Sequence, residues 1–361
     1  MARVVGIDPG SISFDLCGWE QGRVFLDQSV PSDQVADRAE SILEMITASG
    51  PVDLILGPSG YGLPVTDVQD IGERELFLMT LVEARERRDI PVLAGMEALI
   101  NLARVRRLPL CFTPAVVHLP TVPRWRKINK IDLGTADKLN CAILAIYDQA
   151  HTYQIHYQDT ALILVEVGGA FTSVIAVDQG QVVDGIGGSA GAAGFKSGGA
   201  LDGELAYLLK SVQKRNLFEG GITDIVGEPQ LTLTEYALRL KEEELEQAWL
   251  VLEEAVVKAV AGELALVPTA KEIVLSGRLC RQPLLNERLV RRLSCLATVR
   301  TVNPLARIAK EAAQGAALLA AGLVGAETAP LVEQLRIREA SGTVFDHIVP
   351  WGDDLRRRYR V

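Results

Sequence analysis

The chain has 361 residues, of which 48% are hydrophobic and 23% are charged, and its formal net charge is −9. This length predicts two domains of about 100–200 residues each, and the acidic balance argues against nucleic acid or an anionic membrane as the main partner. It leaves a nucleotide ligand open, because backbone amides and a metal ion can hold phosphates without a basic surface.

The first 30 residues read as three short strands joined by tight turns. Arg3–Ile7 and Phe14–Glu20 flank a turn at Asp8–Ser11, and Gln21-Gly22 leads into a third strand, Arg23–Ser29. Glycine-containing turns between β-prone runs are typical of hairpins. The chain is therefore predicted to open with an antiparallel meander.

Helices follow the meander. Apolar residues at helical spacing predict a helix over Ser32–Ala48, and further segments over the first 150 residues follow in the same way. Prolines interrupt the region from Thr113 to Lys130, which also carries a local basic cluster. The predicted elements are strand Val52–Gly57 and helices Glu73–Arg88, Glu97–Arg107 and Ala136–Ala150.

The second half repeats the strand pattern of the first. An apolar strand, Ala161–Val167, leads through Gly168-Gly169 into Thr172–Val177, and a turn at Asp178–Gly180 leads into Gln181–Asp184. We interpret this repetition as an approximate internal duplication, based on pattern and not on identity. Strands that alternate with helices indicate an α/β architecture, here with two similar halves.

The rest of the chain is mostly helical. A stretch rich in Gly, Ala and Ser, Gly185–Gly203, suits either a flexible linker or a loop on the substrate side. The tail Glu327–Val361 is expected to lie partly on the surface. The predicted elements between them are helices Leu201–Lys214, Leu233–Leu266, Leu284–Leu293 and Leu305–Leu323, with strands Lys271–Leu275 and Thr298–Val302.

Four motifs resemble those of the superfamily of acetate kinases, sugar kinases, heat-shock chaperones and actin. They occur in that superfamily's order over roughly residues 1–325. The first two resemble its phosphate hairpins, the third its adenosine motif and the fourth the small-residue helix beside it. They are Gly6–Ser13, Leu164–Ser173, Ile273–Arg278 and Ala312–Ala317.

A narrower resemblance is to a family of predicted butyrate kinases near the acetate and butyrate kinases. It is carried by His118–Pro123 and by Lys127–Lys138. Acetate kinases open a helix with Gly-Thr-Ser-His where this chain has Gly134–Asp137. Acetate kinases also have a catalytic Asp where this chain has Val117–Leu119. They have an Asn where this chain has Asp8, and an Asp at that position is similar to the sugar kinases and chaperones.

The resemblance implies a fold of two ribonuclease H-like domains, each a mixed five-stranded sheet flanked by helices, around a nucleotide cleft. The domains are expected at 1–150 and 151–361. It implies an ATP-dependent phosphotransferase with Mg²⁺ that acts on a small metabolite, such as a short-chain carboxylate like butyrate. A homodimer is also possible, because acetate kinases are dimeric.

The resemblance and the residue chemistry together assign candidate roles. Glycines let backbone N–H groups approach phosphates, and hydroxyls donate to them. Asp8 is the candidate Mg²⁺ ligand, through waters. The candidate nucleotide-binding residues are Asp8, Gly10, Ser11, Ser13, Gly168, Gly169, Thr172, Ser276, Gly277, Arg278 and Gly315. The candidate catalytic residues are Asp132, Asp137, Lys138 and Arg126.

Each of these features also has a structural interpretation. Asp132 and Asp137 are as well explained as capping carboxylates for the helix that follows them, and an alcohol acceptor would need one of them as a general base whereas a carboxylate would not. The alternative function is a non-catalytic nucleotide-binding switch or slow ATPase. Members of this fold that use a His-x-x-x-His metal pair are not indicated, because the sequence has no such pair.

The cysteines and the apolar runs predict the compartment. The five cysteines are widely spaced and form no Cys-x-x-Cys pair, which predicts reduced thiols and no zinc site. No signal peptide is recognised, and no apolar run reaches the roughly 18 residues of a membrane span. We therefore expect a cytoplasmic protein without a membrane or nucleic-acid partner.

Overall fold

A computed structural model describes residues 2–10, 12–48, 50–87 and 90–361. The first sheet contains the predicted meander. Its strands are β1 (Arg3–Pro9), β2 (Ser13–Glu20), β3 (Arg23–Pro31), β4 (Leu54–Pro58), β5 (Thr66–Asp67) and β6 (Leu110–Thr113). They are ordered β3-β2-β1-β4-β6-β5, with β1, β4 and β6 parallel. The predicted turn has positive φ at Gln21 (49°) and Gly22 (77°), as a tight two-residue hairpin requires.

The second sheet repeats this arrangement. Its strands are β7 (Leu162–Val167), β8 (Thr172–Asp178), β9 (Gln181–Ile186), β10 (Glu272–Ser276) and β11 (Thr298–Thr301). They are ordered β11-β10-β7-β8-β9, which matches β6-β4-β1-β2-β3 strand for strand. Gln179 (φ 49°) and Gly180 (φ 70°) form the equivalent turn. The predicted α/β class with two similar sheets is confirmed, and the first sheet has one additional edge strand, β5.

The helices of the first half differ from the predictions mainly at their ends. The predicted helix Glu73–Arg88 stops at Thr80, because Leu81 adopts a left-handed conformation (φ 52°). The predicted helix Glu97–Arg107 begins earlier, at Pro91, since proline is well tolerated in a first turn. The observed helices are α1 (Val35–Thr47), α2 (Glu73–Thr80), α3 (Ala84–Arg87), α4 (Pro91–Val105), α5 (Arg124–Lys127) and α6 (Ala136–Tyr153).

In the second half, three long predicted helices are shorter or divided. The predicted helix Leu305–Leu323 begins only at Glu311. The predicted helix Leu201–Lys214 is helical over seven residues only, and Leu233–Leu266 is two helices separated at residues 240–242. The observed helices are α7 (Gly203–Leu209), α8 (Ile222–Ile225), α9 (Leu233–Arg239), α10 (Glu243–Leu266), α11 (Pro283–Leu293), α12 (Glu311–Leu323), α13 (Ala329–Gln334) and α14 (Gly352–Tyr359). No helix of the described residues is both long and apolar enough to span a membrane.

Two helices, α6 and α12, lie between the sheets. Glycines allow this close packing: a Cβ on Gly6 of β1 would lie 2.1 Å from the Ala313 carbonyl oxygen, and one on Gly315 would lie 1.8 Å from that of Asn140. The small-residue helix predicted from the sequence is therefore clamped between β1 and α6. This packing brings the first turns of α6 and α12 to the ends of β1 and β7.

The C-terminal tail returns to the first sheet. Leu331, Leu335, Val344 and Phe345 are buried in the same core as the first sheet, so the tail packs more tightly than expected. A second core lies where α10 and α11 pack against one face of the second sheet. The predicted domain boundary between residues 150 and 151 stays a prediction, and residues after 302 share the core of the first sheet.

Candidate active site

A cavity of about 310 Å³ lies between the two sheets. It opens where β1, β4, β7 and β10 end and where α6 and α12 begin. One end is polar and is lined by charged residues from both sheets, whereas the other is lined mainly by apolar side chains. The predicted site residues that line it are Asp8, Gly10, Asp132, Asp137, Lys138, Gly168, Gly169, Gly277 and Arg278.

The first hairpin places Asp8 beside a lysine from the far end of the chain. Lys310 Nζ lies 2.6 Å from Asp8 Oδ2 and 3.2 Å from Asp15 Oδ2. Burial alone would lower the pKa of Lys310, but the charges of Asp8 and Asp15 outweigh burial and raise it, so the ammonium stays charged. A Cβ on Gly10 would lie 2.3 Å from Lys310 Nζ, so this glycine makes room for the lysine.

A second ion-pair cluster lies across the cavity. Lys138 Nζ is 2.8 Å from Asp137 Oδ2 and 2.7 Å from Glu166 Oε2. Thr135 Oγ1 donates a hydrogen bond of 2.5 Å to Asp137 Oδ1. Burial opposes the charge of Lys138, but Asp137 and Glu166 raise its pKa well above the usual value. The cluster therefore holds a fixed cation near the end of β7.

The second hairpin has side-chain hydroxyl groups that make no hydrogen bond within the described residues. The Gly168 N–H donates to the Phe171 carbonyl (2.9 Å), which closes the turn. Thr172 Oγ1 and Ser173 Oγ are buried and have no hydrogen-bond partner among the described residues. Ser173 lines the cavity. Burying a hydroxyl without a partner is costly, so Ser173 is well suited to donate to a ligand.

The turn after β10 connects the two halves. Gly277 has a positive φ of 97°, and a Cβ there would lie 2.5 Å from the Val167 carbonyl oxygen. Arg278 reaches across the cleft and donates a 2.9 Å hydrogen bond to Ser13 Oγ, which itself donates to Asp15 (2.7 Å). The predicted adenosine turn is thus connected to the first hairpin.

Asp132 has the contacts of an anchor. Its Oδ1 accepts a hydrogen bond from the Gly134 N–H (3.1 Å), and its Oδ2 accepts from the N–H and the hydroxyl of Ser189 (2.9 and 2.8 Å). These three bonds tie the segment before α6 to the loop after β9. Of the two candidate carboxylates, Asp137 is the one whose side chain belongs to the ion-pair cluster.

The opposite end of the cavity is mainly apolar. Met79, Val82, Ile90, Leu93 and Met96 line it from the side of the first sheet. Tyr61 also lines it.

Above Tyr61 lies a third lysine of the cavity. Lys214 Nζ is 4.2 Å from the centroid of the Tyr61 ring. Burial lowers the pKa of Lys214 to about 8, with Asp132 acting in the opposite direction.

Several predicted residues lie outside the cavity lining. Arg126 donates to the Val183 carbonyl (2.9 Å) and lies 3.4 Å from Asp184, so it joins α5 to β9. Gly315 packs against α6. Ser11 lies outside the described residues. Ser13, Thr172 and Ser276 are buried beside the cavity without lining it.

Sequence reasoning missed Glu166, Lys310, Lys214 and Tyr61. A signal for Glu166 was present, because it stands two residues before Gly168 just as Asp8 stands two residues before Gly10. No signal marked Lys310 or Lys214, since their positions depend on how distant segments pack.

The predicted metal role of Asp8 can be tested against its neighbours. Its Oδ2 already accepts a hydrogen bond from Lys310. Within residues 2–10, 12–48, 50–87 and 90–361, no group of three or more His, Cys, Asp or Glu side chains could hold a metal ion. These residues do not fit a metal ion that is ligated by the protein alone.

The chain is similar to several solved kinases. Acetate kinase from Porphyromonas gingivalis superposes with a TM-score of 0.60 at 13% identity, over 88% of this chain and 98% of that one. A propionate kinase from Francisella tularensis subsp. tularensis SCHU S4 gives 0.61 at 13% identity, over 88% and 98%. Acetate kinase from Entamoeba histolytica gives 0.56 at 12%, over 82% and 87%. At these identities the likeness shows the fold alone, and it confirms the predicted α/β fold with two mixed sheets flanked by helices.

Sequence comparison gives a family match. A family model described as "Protein of unknown function (DUF1464)" matches residues 6–350. No curated protein matches the sequence. The match spans both hairpins, both interior helices and most of the tail.

Proposed function

The chain belongs to the DUF1464 family, and we propose that it is an ATP-dependent phosphotransferase that acts on a small metabolite. One observation carries this proposal: two equivalent hairpins from two equivalent sheets face one cavity, and each places a buried acid beside a partly buried lysine. The paired residues are Asp8 with Lys310 and Glu166 with Lys138.

The polar end of the cavity has the features that phosphates need. The first turns of α6 and α12 both line it, and the N-terminus of a helix favours anions. Ser173 supports the same reading, since its buried hydroxyl has no partner among the described residues. We propose that phosphates lie between Gly10 and Gly168-Gly169, with the adenosine toward Gly277 and Arg278.

Phosphoryl transfer depends mainly on positioning and on charge stabilisation. Lys138 and Lys310 are partly buried cations that neighbouring carboxylates hold in place, so they need little rearrangement during the reaction. We propose that both stabilise the negative charge on the transferred group. Magnesium would enter with the nucleotide as Mg-ATP, and its waters could contact Asp8.

The acceptor is proposed to be a short-chain carboxylate such as butyrate. Similar solved structures are named as acetate and propionate kinases, and the apolar end of the cavity suits a hydrocarbon chain. A carboxylate oxygen would attack the γ-phosphorus, the bond to the β,γ-bridging oxygen would break, and ADP would leave with an acyl phosphate as the product. No base is needed in this reaction, which agrees with the anchoring contacts of Asp132.

A slow ATPase or nucleotide-dependent switch is the second candidate. The observation in its favour is that Asp8, Asp137 and Glu166 are each paired with a lysine, so none is free to activate an alcohol. This function requires nucleotide binding but no acceptor.

One experiment separates the two candidates. Calorimetric titration with Mg-ATP should show one site per chain. ADP release should then rise with added butyrate or a related acid, and hydroxylamine should trap the acyl phosphate as a hydroxamate. ATP binding with slow hydrolysis and no trapped product would support the switch, whereas no binding at millimolar Mg-ATP would contradict both.

A further inference from the structure

Three lysines line the cavity, and one of them has a different environment from the others. Lys138 and Lys310 each lie within 3.2 Å of two carboxylates. Lys214 has no carboxylate at ion-pair distance among the described residues, and its ammonium lies instead over the ring of Tyr61. We infer that Lys214 and Tyr61 form the acceptor-recognition site and select an acid with one anionic group and an apolar body. This inference rests on the proposed phosphotransferase function.

Both halves of the molecule contribute to this site. Lys214 begins the short 3₁₀ helix Lys214–Phe218 of the second half, and Tyr61 follows β4 of the first. The distance of 4.2 Å from Lys214 Nζ to the ring centroid is that of a cation–π contact. An ammonium has three N–H donors, and the ring occupies one side of it only. The remaining donors are available to an anion in the cavity.

The wall beside this lysine explains why the acceptor body should be apolar. The Tyr61 N–H donates to the Met79 carbonyl (3.0 Å), which brings the segment from Met79 to Val82 next to the ring. Leu93 and Met96 continue the wall along α4. A sugar placed here would leave hydroxyls without partners, which a buried apolar surface strongly disfavours. A hydrocarbon chain gains affinity instead, by about fourfold per buried methylene.

The charge of Lys214 gives the site a pH signature. Among the described residues, the charged or titratable groups that face it are Asp132, before α6, and Tyr61, after β4. Asp137 lies in the same cavity but is paired with Lys138. Burial lowers the pKa of Lys214 to about 8, so the free site loses its cation as the pH rises through 8. Affinity for an anionic acceptor should therefore fall above pH 8, and affinity for a neutral analogue should not.

The test measures acid binding separately from nucleotide binding. Calorimetry measures the binding of propanoate, butanoate and hexanoate, with butanamide as the neutral analogue. The proteins are the wild type and the variants Lys214→Met, Lys214→Arg and Lys210→Met. Lys210 lies on the same segment, is exposed and does not line the cavity, so it is the matched control. The Mg-ATP dissociation constant of every variant is measured alongside.

We expect wild-type affinity to rise with chain length and to favour acid over amide. Lys214→Met should weaken acid binding at least tenfold, Lys214→Arg should retain part of it, and Lys210→Met and all Mg-ATP constants should stay within about twofold. The wild type and Lys210→Met should both lose acid affinity between pH 7 and 9, whereas Lys214→Met and Lys214→Arg should not. The inference is overturned if Lys214→Met binds acids normally, or if the wild type binds no acid of the series. If the wild type does not bind Mg-ATP, that result would instead contradict the proposed function.

Discussion

The two hairpins that face the cavity come from one repeated unit, yet they differ at one pair of equivalent positions. Across the first hairpin Asp8 lies opposite Asp15, and across the second Glu166 lies opposite Ser173. The second acid of the first hairpin holds Lys310 between two carboxylates. The serine of the second hairpin leaves a buried hydroxyl without a partner among the described residues. Among the described residues, the side chain at this one position therefore distinguishes the two hairpins: Asp15 binds the lysine, whereas the Ser173 hydroxyl is still able to donate to a ligand.

The lysines follow the same symmetry. Lys310 precedes α12 and lies 2.6 Å from Asp8, and Lys138 lies in the first turn of α6, 2.7 Å from Glu166. The backbone duplication thus extends to an acid–lysine pair in each half. Among the described residues, only the second hairpin has side-chain donors without a hydrogen-bond partner. We therefore expect the chemistry to be more sensitive to changes there than at the first hairpin.

The largest effect is expected for Lys138→Met. We propose that this partly buried cation lies beside the transferred group, so its removal should lower kcat about 10³-fold, measured as acceptor-dependent ADP release. Lys258→Met, an exposed lysine on α10, is the control. Because Asp137 and Glu166 would lose their partner, the double variant Lys138→Met/Glu166→Gln should recover thermal stability but not turnover. Restored turnover in the double variant would give Lys138 a purely structural role.

Ser173 should come next. Ser173→Asp gives the second hairpin the acid that the first has at the equivalent position, Asp15. It places a carboxylate where we propose phosphate, so Mg-ATP affinity should fall about 100-fold. Ser173→Ala should cost about tenfold, the value of one hydrogen bond to a charged group, and should leave folding stability unchanged or higher because it removes an unpartnered hydroxyl. Calorimetry and thermal unfolding measure both quantities, and normal Mg-ATP affinity in Ser173→Asp would refute the assigned phosphate site.

At the first hairpin, Lys310→Met should weaken Mg-ATP binding by about 10- to 30-fold. This effect is smaller than the one expected for Ser173→Asp in the second hairpin. The loss should increase from AMP to ADP to ATP, because the ammonium acts on the phosphates. In the double variant Lys310→Met/Asp15→Ser, the loss of one negative charge offsets the loss of the lysine's positive charge, and the first hairpin resembles the second. If this double variant binds nucleotides as the wild type does, Lys310 only neutralises Asp8 and Asp15.

The smallest effect on turnover is expected for Asp132→Asn. If Asp132 is an anchor, the variant should change kcat by no more than about threefold. Its free energy of unfolding should fall by about 1–2 kcal/mol, because the amide nitrogen that replaces Oδ2 cannot accept the two hydrogen bonds from Ser189. A general base would instead lose about 10²- to 10⁴-fold in kcat. Steady-state kinetics and chemical denaturation of the same preparation distinguish these outcomes.

Much of the fold could be predicted from local signals. The Gln21-Gly22 and Gln179-Gly180 turns lie between apolar runs, and both positions of each turn have the positive φ that such hairpins require. The small-residue segment of α12 signalled close packing, and Gly315 does approach the backbone of Asn140. Helix ends were less predictable, because the break after Thr80 depends on a left-handed leucine that no local signal marks.

The site was only partly predictable for a physical reason. Residues within the motifs, such as Asp8 and Gly168-Gly169, carry a pattern that the sequence displays. Lys310 reaches Asp8 across 302 positions of sequence, and Lys214 reaches Tyr61 only because an irregular segment folds across the cleft. Contacts of this kind follow from the packing of whole sheets and helices, so composition and spacing do not reveal them.

The most direct test of the central claim is a crystal structure with Mg²⁺ and a non-hydrolysable ATP analogue. The account predicts phosphates between Gly10 and Gly168-Gly169, with a γ-phosphate oxygen within hydrogen-bond distance of Lys138 Nζ and of Ser173 Oγ. A nucleotide bound outside this cavity, or one whose γ-phosphate contacts neither side chain, would contradict it.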